Sequence, residues 1–218
     1  MIKIESLANK IASKIALQLE YDDEKKSVIA YGLVGILQSL SLFVILTTIG
    51  LILKSFYEVI IIFISVSMIR KSAGGAHAKT MMSCNIMSVF TVILLAILAR
   101  YILVSPVNIY VNLGSSIIVF AICFIIFYYR VPVDSPNKPI LKPEKVKRLR
   151  QQSLFILTIL FICSTILILL ATYHTRFYSI SVSIRLAMLW QFLTLTKAGA
   201  IFIEKMDLMI YRVIEDRI

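Results

Sequence analysis

Histidine and cysteine are scarce in this 218-residue chain, which contains only two histidines and three cysteines. The cysteines are odd in number and their spacing is not paired, which argues against a disulfide framework. No Cys-x-x-Cys pair is present either, so the zinc sites that use this spacing are excluded. We therefore expect no metal and no cofactor, and few side chains remain that could carry chemistry.

Charged residues are also few, at 16% of the chain, and four long stretches contain none. These stretches are residues 28–53, 80–99, 101–129 and 151–175. Each is long enough to cross a bilayer, which takes about 20 apolar residues. No segment between them could bury a hydrophobic core of its own. With 59% hydrophobic residues, the sequence predicts an all-α, polytopic integral membrane protein without a separate soluble domain.

The formal net charge is +11, which in a soluble protein would suggest a nucleic-acid partner. In a membrane protein the positive-inside rule explains the same excess, because Lys and Arg accumulate in cytoplasmic loops. No basic motif rich in aromatic residues competes with that explanation, so we expect no nucleic-acid partner. The first 27 residues are rich in charge and lack an apolar core, so we also expect no cleavable signal peptide.

The chain is interpreted as one transmembrane domain, residues 1–218. Residues 1–27 are predicted to form an amphipathic helix in the membrane interface, because apolar residues recur there at helical spacing. A transmembrane region follows at 28–203, with a basic cytoplasmic loop at 130–150, and a tail occupies 204–218. About six transmembrane helices are predicted, near residues 28–53, 55–69, 84–104, 107–129, 151–172 and 178–203.

The distribution of positive charge predicts the orientation of these helices. With the amino terminus inside, the cytoplasmic segments hold 18 of the 23 Lys and Arg residues. The external junctions hold only Lys54, Arg100 and Arg176. The positive-inside rule therefore places both termini, the segment around residues 70–84 and the basic loop in the cytoplasm.

Cys84 is the cysteine that lies beside charged and glycine residues, whereas Cys123 and Cys163 lie inside apolar runs, where a thiol is usually inert. A nucleophilic cysteine must ionise, and a nearby histidine such as His77 can take its proton. Three basic residues favour the thiolate further, and a helix that began at Cys84 would add the positive end of its dipole. These basic residues are Arg70, Lys71 and Lys79.

The spacing of His77 and Cys84 limits this hypothesis. In a continuous helix their separation of seven positions would correspond to a rise of about 10 Å, which is too far for a direct hydrogen bond. The pair therefore requires a helix that begins after His77, a bent helix, or a homodimer in which a second subunit contributes. Gly74 and Gly75 make a non-helical lead-in plausible. His174 lies on the external side in this topology and cannot serve Cys84.

Two other functions remain open on these residues alone. Glu58, Arg185 and Lys197 interrupt predicted spans, and ionisable groups there can mark the path of a transporter or channel. A scaffold that holds a partner helix is the other alternative. The basic loop is equally open, since the positive-inside rule explains it without a substrate. If the loop binds the tail of a substrate, the candidate residues are Lys142, Lys145, Lys147, Arg148 and Arg150.

The run from Arg70 through Gly74, Gly75 and His77 to Cys84 resembles the signature of the accessory gene regulator protein B (AgrB) family. Its members are bacterial membrane cysteine endopeptidases that process the AgrD quorum-sensing pro-peptide. The basic amphipathic start, the six-span pattern and the proline-rich segment at 132–140 are also similar to the family, so the resemblance extends over most of the chain.

The resemblance implies that Cys84 is the nucleophile and His77 the general base, with Arg70, Gly74 and Gly75 supporting the site. It also implies an AgrD-like pro-peptide as substrate, membrane lipids as the surroundings, and a multi-pass location in a bacterial cell membrane. The product would be a thiolactone or lactone peptide. A third residue that orients the histidine is not identified; the candidates are Ser72, Asn85 and Gln38.

Reporter fusions test the predicted orientation. Because the basic segments are expected to stay inside, fusions after residues 79, 140 and 210 should report the cytoplasm. Fusions at residues 54, 105 and 175 should report the exterior. An external signal from the fusion at 79 would place Cys84 out of reach of a cytosolic pro-peptide and would contradict the proposed substrate.

Overall fold

The computed structural model describes residues 2–76, 78, 80–103, 108–133 and 143–215. These residues form helices joined by short turns, and no strand occurs among them, which confirms the all-α class. In chain order the helices are α1 (Ile2–Gln18), α2 (Asp23–Ile52), α3 (Phe56–Ala73), α4 (Met81–Ile97), which continues as a π-helix (Leu98–Ile102), α5 (Ile109–Arg130), α6 (Pro143–Leu170), α7 (Arg176–Thr194) and α8 (Lys197–Glu215).

Four helices in the described part of the chain are long and apolar enough to cross a membrane. They are α2, α4 with its π-helix, α5 and α6, and the bent pair of α7 and α8 makes a fifth if it counts as one span. These helices fit the predicted polytopic membrane protein. The count of six stays a prediction, since α3 has 18 residues of which three, Glu58, Arg70 and Lys71, are charged.

The prediction that the sixth span is one continuous helix at 178–203 is wrong. The chain turns by 89° between α7 and α8. The hydroxyl of Thr196 accepts a hydrogen bond from the amide of Gly199 at 3.0 Å, so a new helix is capped where the old one would have continued. The predicted tail at 204–218 is consequently helical as far as Glu215, within α8.

Two further boundaries differ from the prediction. The basic loop at 130–150 is helical from Pro143 onward, because proline is well suited to the first turn of a helix. The helix predicted for 1–27 ends at Gln18. Asp22 accepts a hydrogen bond from the amide of Lys25 at 2.9 Å and so caps α2, which takes over the last residues of that segment.

By its internal contacts the chain divides into two compact units, residues 1–48 and 49–218. The first holds α1 and most of α2. In the second, α7 is the central helix and packs against α3, α4, α5, α6 and α8. Its buried face contains small polar residues such as Ser181, whose hydroxyl lies 2.9 Å from that of Ser164 on α6. Small residues let helices approach closely inside a membrane, where the hydrophobic effect does not drive helices together.

The carboxylate of Glu58 is buried near the first turn of α3, with 1% of the residue exposed. It accepts a hydrogen bond from Ser179 at 2.5 Å and lies 3.7 Å from the guanidinium of Arg100, which stands in the π-helix. Its charge is therefore satisfied within the bundle, as a buried carboxylate requires.

Arg185 is also buried. Its guanidinium donates to Ser115 at 2.5 Å and to Asn112 at 3.3 Å, both on α5. Lys197 is exposed at the start of α8. Glu58 and Arg185 thus have structural partners, which weakens the case for a transport path built on them.

Candidate active site

Cys84 lies in the first turn of α4, where it is half-buried and unpaired by any disulfide. Thr80 caps this helix, because its hydroxyl accepts a hydrogen bond from the amide of Ser83 at 3.1 Å. The amide of Cys84 donates to the carbonyl of Thr80 at 3.0 Å, which closes the first helical turn. The thiol therefore stands in the first turn of α4, at the positive end of the helix dipole.

The start of α4 at Met81 also meets the geometric condition for pairing Cys84 with position 77, since the helix begins after that position. His77 itself lies outside the described residues, so the pairing stays a prediction. Its chain neighbours Ala76 and Ala78 are described, and both pack in the same apolar cluster as Cys84.

Arg70 lies in the last turn of α3, just beyond the predicted span, and its guanidinium donates to the carbonyl of Ala76 at 3.0 Å. Burial lowers the pKa of Arg70 from its usual value, and the charge of the nearby Cys84 partly opposes that shift. Arg70 therefore does two things: it holds the chain next to position 77, and it brings positive charge to the thiol.

The glycine segment, residues 74–76, leaves α3 through a turn that L-amino acids rarely adopt. Gly74 has a φ of 70°, and it forms an isolated parallel bridge with Val133, which follows α5. The amide of Val133 donates to the carbonyl of Ala73 at 2.9 Å. A Cβ on Gly74 would lie 2.3 Å from the carbonyl oxygen of Val133, so this close approach requires glycine.

The end of α7 holds the other side of the glycine segment. Gln191 donates its side-chain amide to the carbonyl of Gly74 at 2.7 Å. The amide of Ala76 donates to the carbonyl of Thr194 at 3.0 Å. Gly75 has a φ of 123° and would place a Cβ 2.8 Å from the hydroxyl of Thr194. The two glycines thus allow the protein's own chain, rather than a substrate, to come close at these positions.

Helix α8 packs against α4 in the cluster beside Cys84. Ile203, Met206 and Ile210 of α8 pack in the apolar cluster that contains Cys84. Asp207 lies on the same face of α8 and is buried, with 5% of its surface exposed. The sequence prediction assigns this segment to the tail at 204–218 and does not single out Asp207, although an acidic residue within an apolar helical stripe is a usable signal.

The candidates for a third, histidine-orienting residue lie in different surroundings. Ser72 is buried and its hydroxyl lies 2.9 Å from that of Ser153 on α6, so it belongs to the packing of α3 against α6. Asn85 is half-buried next to Cys84, and Gln38 belongs to the other compact unit. Among the described residues, no group of three His, Cys, Asp or Glu side chains could hold a metal ion.

The basic residues expected to bind a substrate tail fall into two groups. Lys145, Lys147 and Arg148 are exposed in the first turns of α6. Arg150 is half-buried and donates to the carbonyl of Val131 at 2.9 Å, so it anchors the segment that bridges to Gly74. Lys142 lies outside the described residues. The three residues of the first group are thus exposed to solvent, whereas Arg150 contributes to the packing of the fold.

The family described as Accessory gene regulator B matches residues 8–195 of this sequence. The chain belongs to the AgrB family. It is 31% identical over 207 residues to "Putative AgrB-like protein" of Clostridium perfringens (strain SM101 / Type A), which covers 94% of this chain and 96% of that protein. It is 30% identical over 208 residues to "Putative AgrB-like protein 2" of C. perfringens (strain 13 / Type A), with the same coverage. No solved structure matches this AgrB chain.

Membership of the AgrB family supports a role in the accessory gene regulator system. The match includes the glycine segment, Cys84 and the end of α7, and it stops before α8 begins. The resemblance inferred from the residues around Cys84 is therefore confirmed at the level of the family.

Substitution of Gly75 tests the geometry of the glycine segment in this AgrB protein. Gly75→Ala should reduce stability by about 1–3 kcal/mol, because alanine is strained at this φ and its Cβ would meet Thr194. Thermal unfolding in detergent measures the loss. The matched control is Gly114→Ala in α5, where a Cβ meets nothing within 4 Å and helix propensity favours alanine. Equal effects of the two substitutions would contradict this account of the turn.

Proposed function

We propose that this AgrB protein is a membrane cysteine endopeptidase that removes the C-terminal tail of a small quorum-sensing pro-peptide. Cys84 would form a thioester with the peptide, which then cyclises to a thiolactone or lactone. The observation that supports this most is the position of Cys84, at the capped start of α4 and beside the half-buried Arg70. A thiol in such an electropositive, partly exposed place is suited to be a nucleophile.

In the proposed first step, the Cys84 thiol gives its proton to His77 and the thiolate attacks the carbonyl carbon of the peptide bond to be cut. A carbon–sulfur bond forms and the carbonyl oxygen becomes an oxyanion. Collapse of this intermediate breaks the carbon–nitrogen bond, and the leaving amine takes the proton from the histidine. The tail departs, and the rest of the peptide remains on Cys84 as a thioester.

The oxyanion would be stabilised by groups that the fold already provides. The first amides of a helix have no partner within the helix, so those that precede Ser83 in α4 would be the ones to donate hydrogen bonds to an anion. Arg70 adds a positive charge near the same sulfur. Because Arg70 and the glycine segment are held by hydrogen bonds, little reorganisation would be needed during the reaction.

In the proposed second step, a thiol or hydroxyl within the peptide attacks the thioester carbonyl, takes over the acyl group and frees Cys84. Exchange of one thioester for another is nearly balanced in energy, so the acyl-enzyme keeps the bond energy that hydrolysis would release. A tethered nucleophile has a high effective concentration, which favours ring closure over attack by water. An amphipathic peptide lying in the inner membrane interface would bring its cleavage site to the depth of Cys84.

Substitution of the two proposed catalytic residues tests the peptidase. Cys84→Ala and His77→Ala should each reduce cleavage on the order of 10³-fold or more while the protein stays in the membrane. Members of one catalytic unit are strongly non-additive, so the double variant should be no worse than either single one. Tail release from co-expressed pro-peptide, followed by mass spectrometry, measures this.

The other two cysteines provide matched controls for this prediction. Cys123→Ser and Cys163→Ser should leave cleavage largely intact, since Cys123 is buried in the bundle core and Cys163 faces outward from α6. Cleavage that survives Cys84→Ala, or losses that multiply in the double variant, would contradict the proposed pair.

A modified substrate tests the covalent intermediate. If the internal nucleophile of the peptide is changed to alanine, the tail should still be released, because the first step does not use that group. The peptide should then remain on Cys84 as an adduct that hydroxylamine removes, visible by intact-protein mass spectrometry. Tail release without an adduct, and with a linear product formed as fast as the ring, would indicate direct attack by water.

The exposed basic residues of α6 are expected to bind an acidic substrate tail. Reversal of the charges at Lys145, Lys147 and Arg148 should raise KM more than it lowers kcat, with an effect that weakens at high salt. Arg150→Gln should instead reduce stability, because the carbonyl of Val131 loses its partner. Unchanged kinetics with altered membrane insertion would mean that the charges serve topology alone.

A further inference from the structure

The buried carboxylate of Asp207 is the feature near Cys84 that the proposed mechanism does not use. Ile203, Asp207 and Ile210 follow the i, i+4, i+7 spacing of one helical face. The two isoleucines pack in the cluster with Ala78 and Cys84, so Asp207 lies on the face of α8 that packs in the cluster beside Cys84. A buried carboxylate is costly unless a cation or hydrogen-bond donor compensates it.

The groups around Asp207 are mostly neutral or basic. The cluster on this face holds Cys84 of α4, and the guanidinium of Arg70 interacts with that thiol. The last two turns of α7, which packs against α8, carry no charged side chain. On α8 itself, Glu204 and Tyr211 lie one turn away. Between α3 and α4 the sequence supplies the cations Lys79 and protonated His77, which lie outside the described residues.

Arg70 is already engaged by the carbonyl of Ala76, and both chain neighbours of position 77 pack in the cluster that α8 covers. We propose that Asp207 is the positioning residue of the Cys84 site, a carboxylate that orients His77 and stabilises its protonated form. This inference rests on the proposed function, since it assigns the missing third member of the same catalytic unit.

The chemistry of a cysteine–histidine pair explains what the carboxylate would contribute. Transfer of the proton from the Cys84 sulfur to the imidazole creates a thiolate and an imidazolium. The carboxylate accepts a hydrogen bond from the ring nitrogen that faces away from the sulfur, which fixes the ring and favours its charged form. The fraction of Cys84 present as thiolate rises as a consequence, and no proton is gained or lost overall.

A direct effect of Asp207 on the thiol would have the opposite sign. A negative charge close to a thiol disfavours its ionisation, so removing that charge would raise the thiolate fraction. If Asp207 acts through the histidine, removing the charge lowers the thiolate fraction instead. The direction of the change therefore separates a positioning role from simple proximity and from a purely structural role in packing α8.

The experiment measures the rate at which iodoacetamide alkylates Cys84 as a function of pH, in membranes containing the full chain. The Cys123→Ser and Cys163→Ser substitutions leave Cys84 as its only thiol. Asp207→Asn should raise the apparent pKa of this thiol by about one unit, so alkylation at pH 7 should slow about tenfold. Asp207→Glu retains the charge and should recover most of the rate, and Glu204→Gln, an exposed carboxylate one turn earlier, should change nothing.

The same substitution in a His77→Ala chain completes the test. There Asp207→Asn should not slow alkylation, because the group through which it acts is gone. An equal slowing with and without His77, or no slowing in the chain that retains it, would overturn the assignment. Should Asp207→Asn fail to accumulate, Asp207→Glu decides: a rate near that of the parent chain supports the role of the charge, and a rate as slow as that of His77→Ala contradicts it.

Cleavage assays keep this inference separate from the proposed function. Asp207→Asn should lower kcat by about ten- to a hundredfold with little change in KM. If cleavage survives Cys84→Ala, the proposed function fails whatever Asp207 does. If Cys84→Ala abolishes cleavage but Asp207→Asn leaves the alkylation profile unchanged, only the role of Asp207 is wrong.

Discussion

Hydrogen bonds to three residues, 74–76, connect the helices of the second compact unit where the candidate active site lies. The chain must leave α3 in a left-handed turn at Gly74, and its carbonyl and amide groups are then bound by Gln191 and Thr194. The segment after α5 completes this arrangement through Val133. Since the backbone groups of these residues must find partners in an apolar environment, the ends of α3, α5 and α7 are brought together there.

The same arrangement explains how charge is distributed in the bundle. Near the glycine segment, Arg70 is held by the carbonyl of Ala76 and lies close to Cys84. Near the start of α3, Glu58 is compensated by Ser179 and Arg100. The second set, around Glu58, has its partners within the bundle. The first set, Arg70 and Cys84, places a cation and a thiol beside the start of α4. That difference is why the chemistry is assigned to the first set and a structural role to the second.

Much of the architecture could be predicted from the sequence, and the errors have local causes. The charge-free runs correspond to α2, α4, α5 and α6, because the length of an apolar run is a property of the chain itself. The continuous sixth span was wrong, since the capping hydroxyl of Thr196 ends one helix and begins another within an apolar stretch. The basic loop was predicted without its helical part, which begins at Pro143 because proline is accommodated in the first turn of a helix.

The sequence alone determined an all-α class with helices long and apolar enough to cross a membrane, and it predicted that the chemistry is concentrated around Cys84. Hydropathy and the scarcity of reactive residues are local properties, so neither depends on the tertiary structure. Only the tertiary structure decided which distant residues lie beside the glycine segment and the cluster that contains that cysteine. The end of α7 and the buried Asp207 lie more than a hundred residues further along the chain, and no periodicity connects them to it. Their approach depends on how the helices pack, and packing is set by many side chains together rather than by any single pattern.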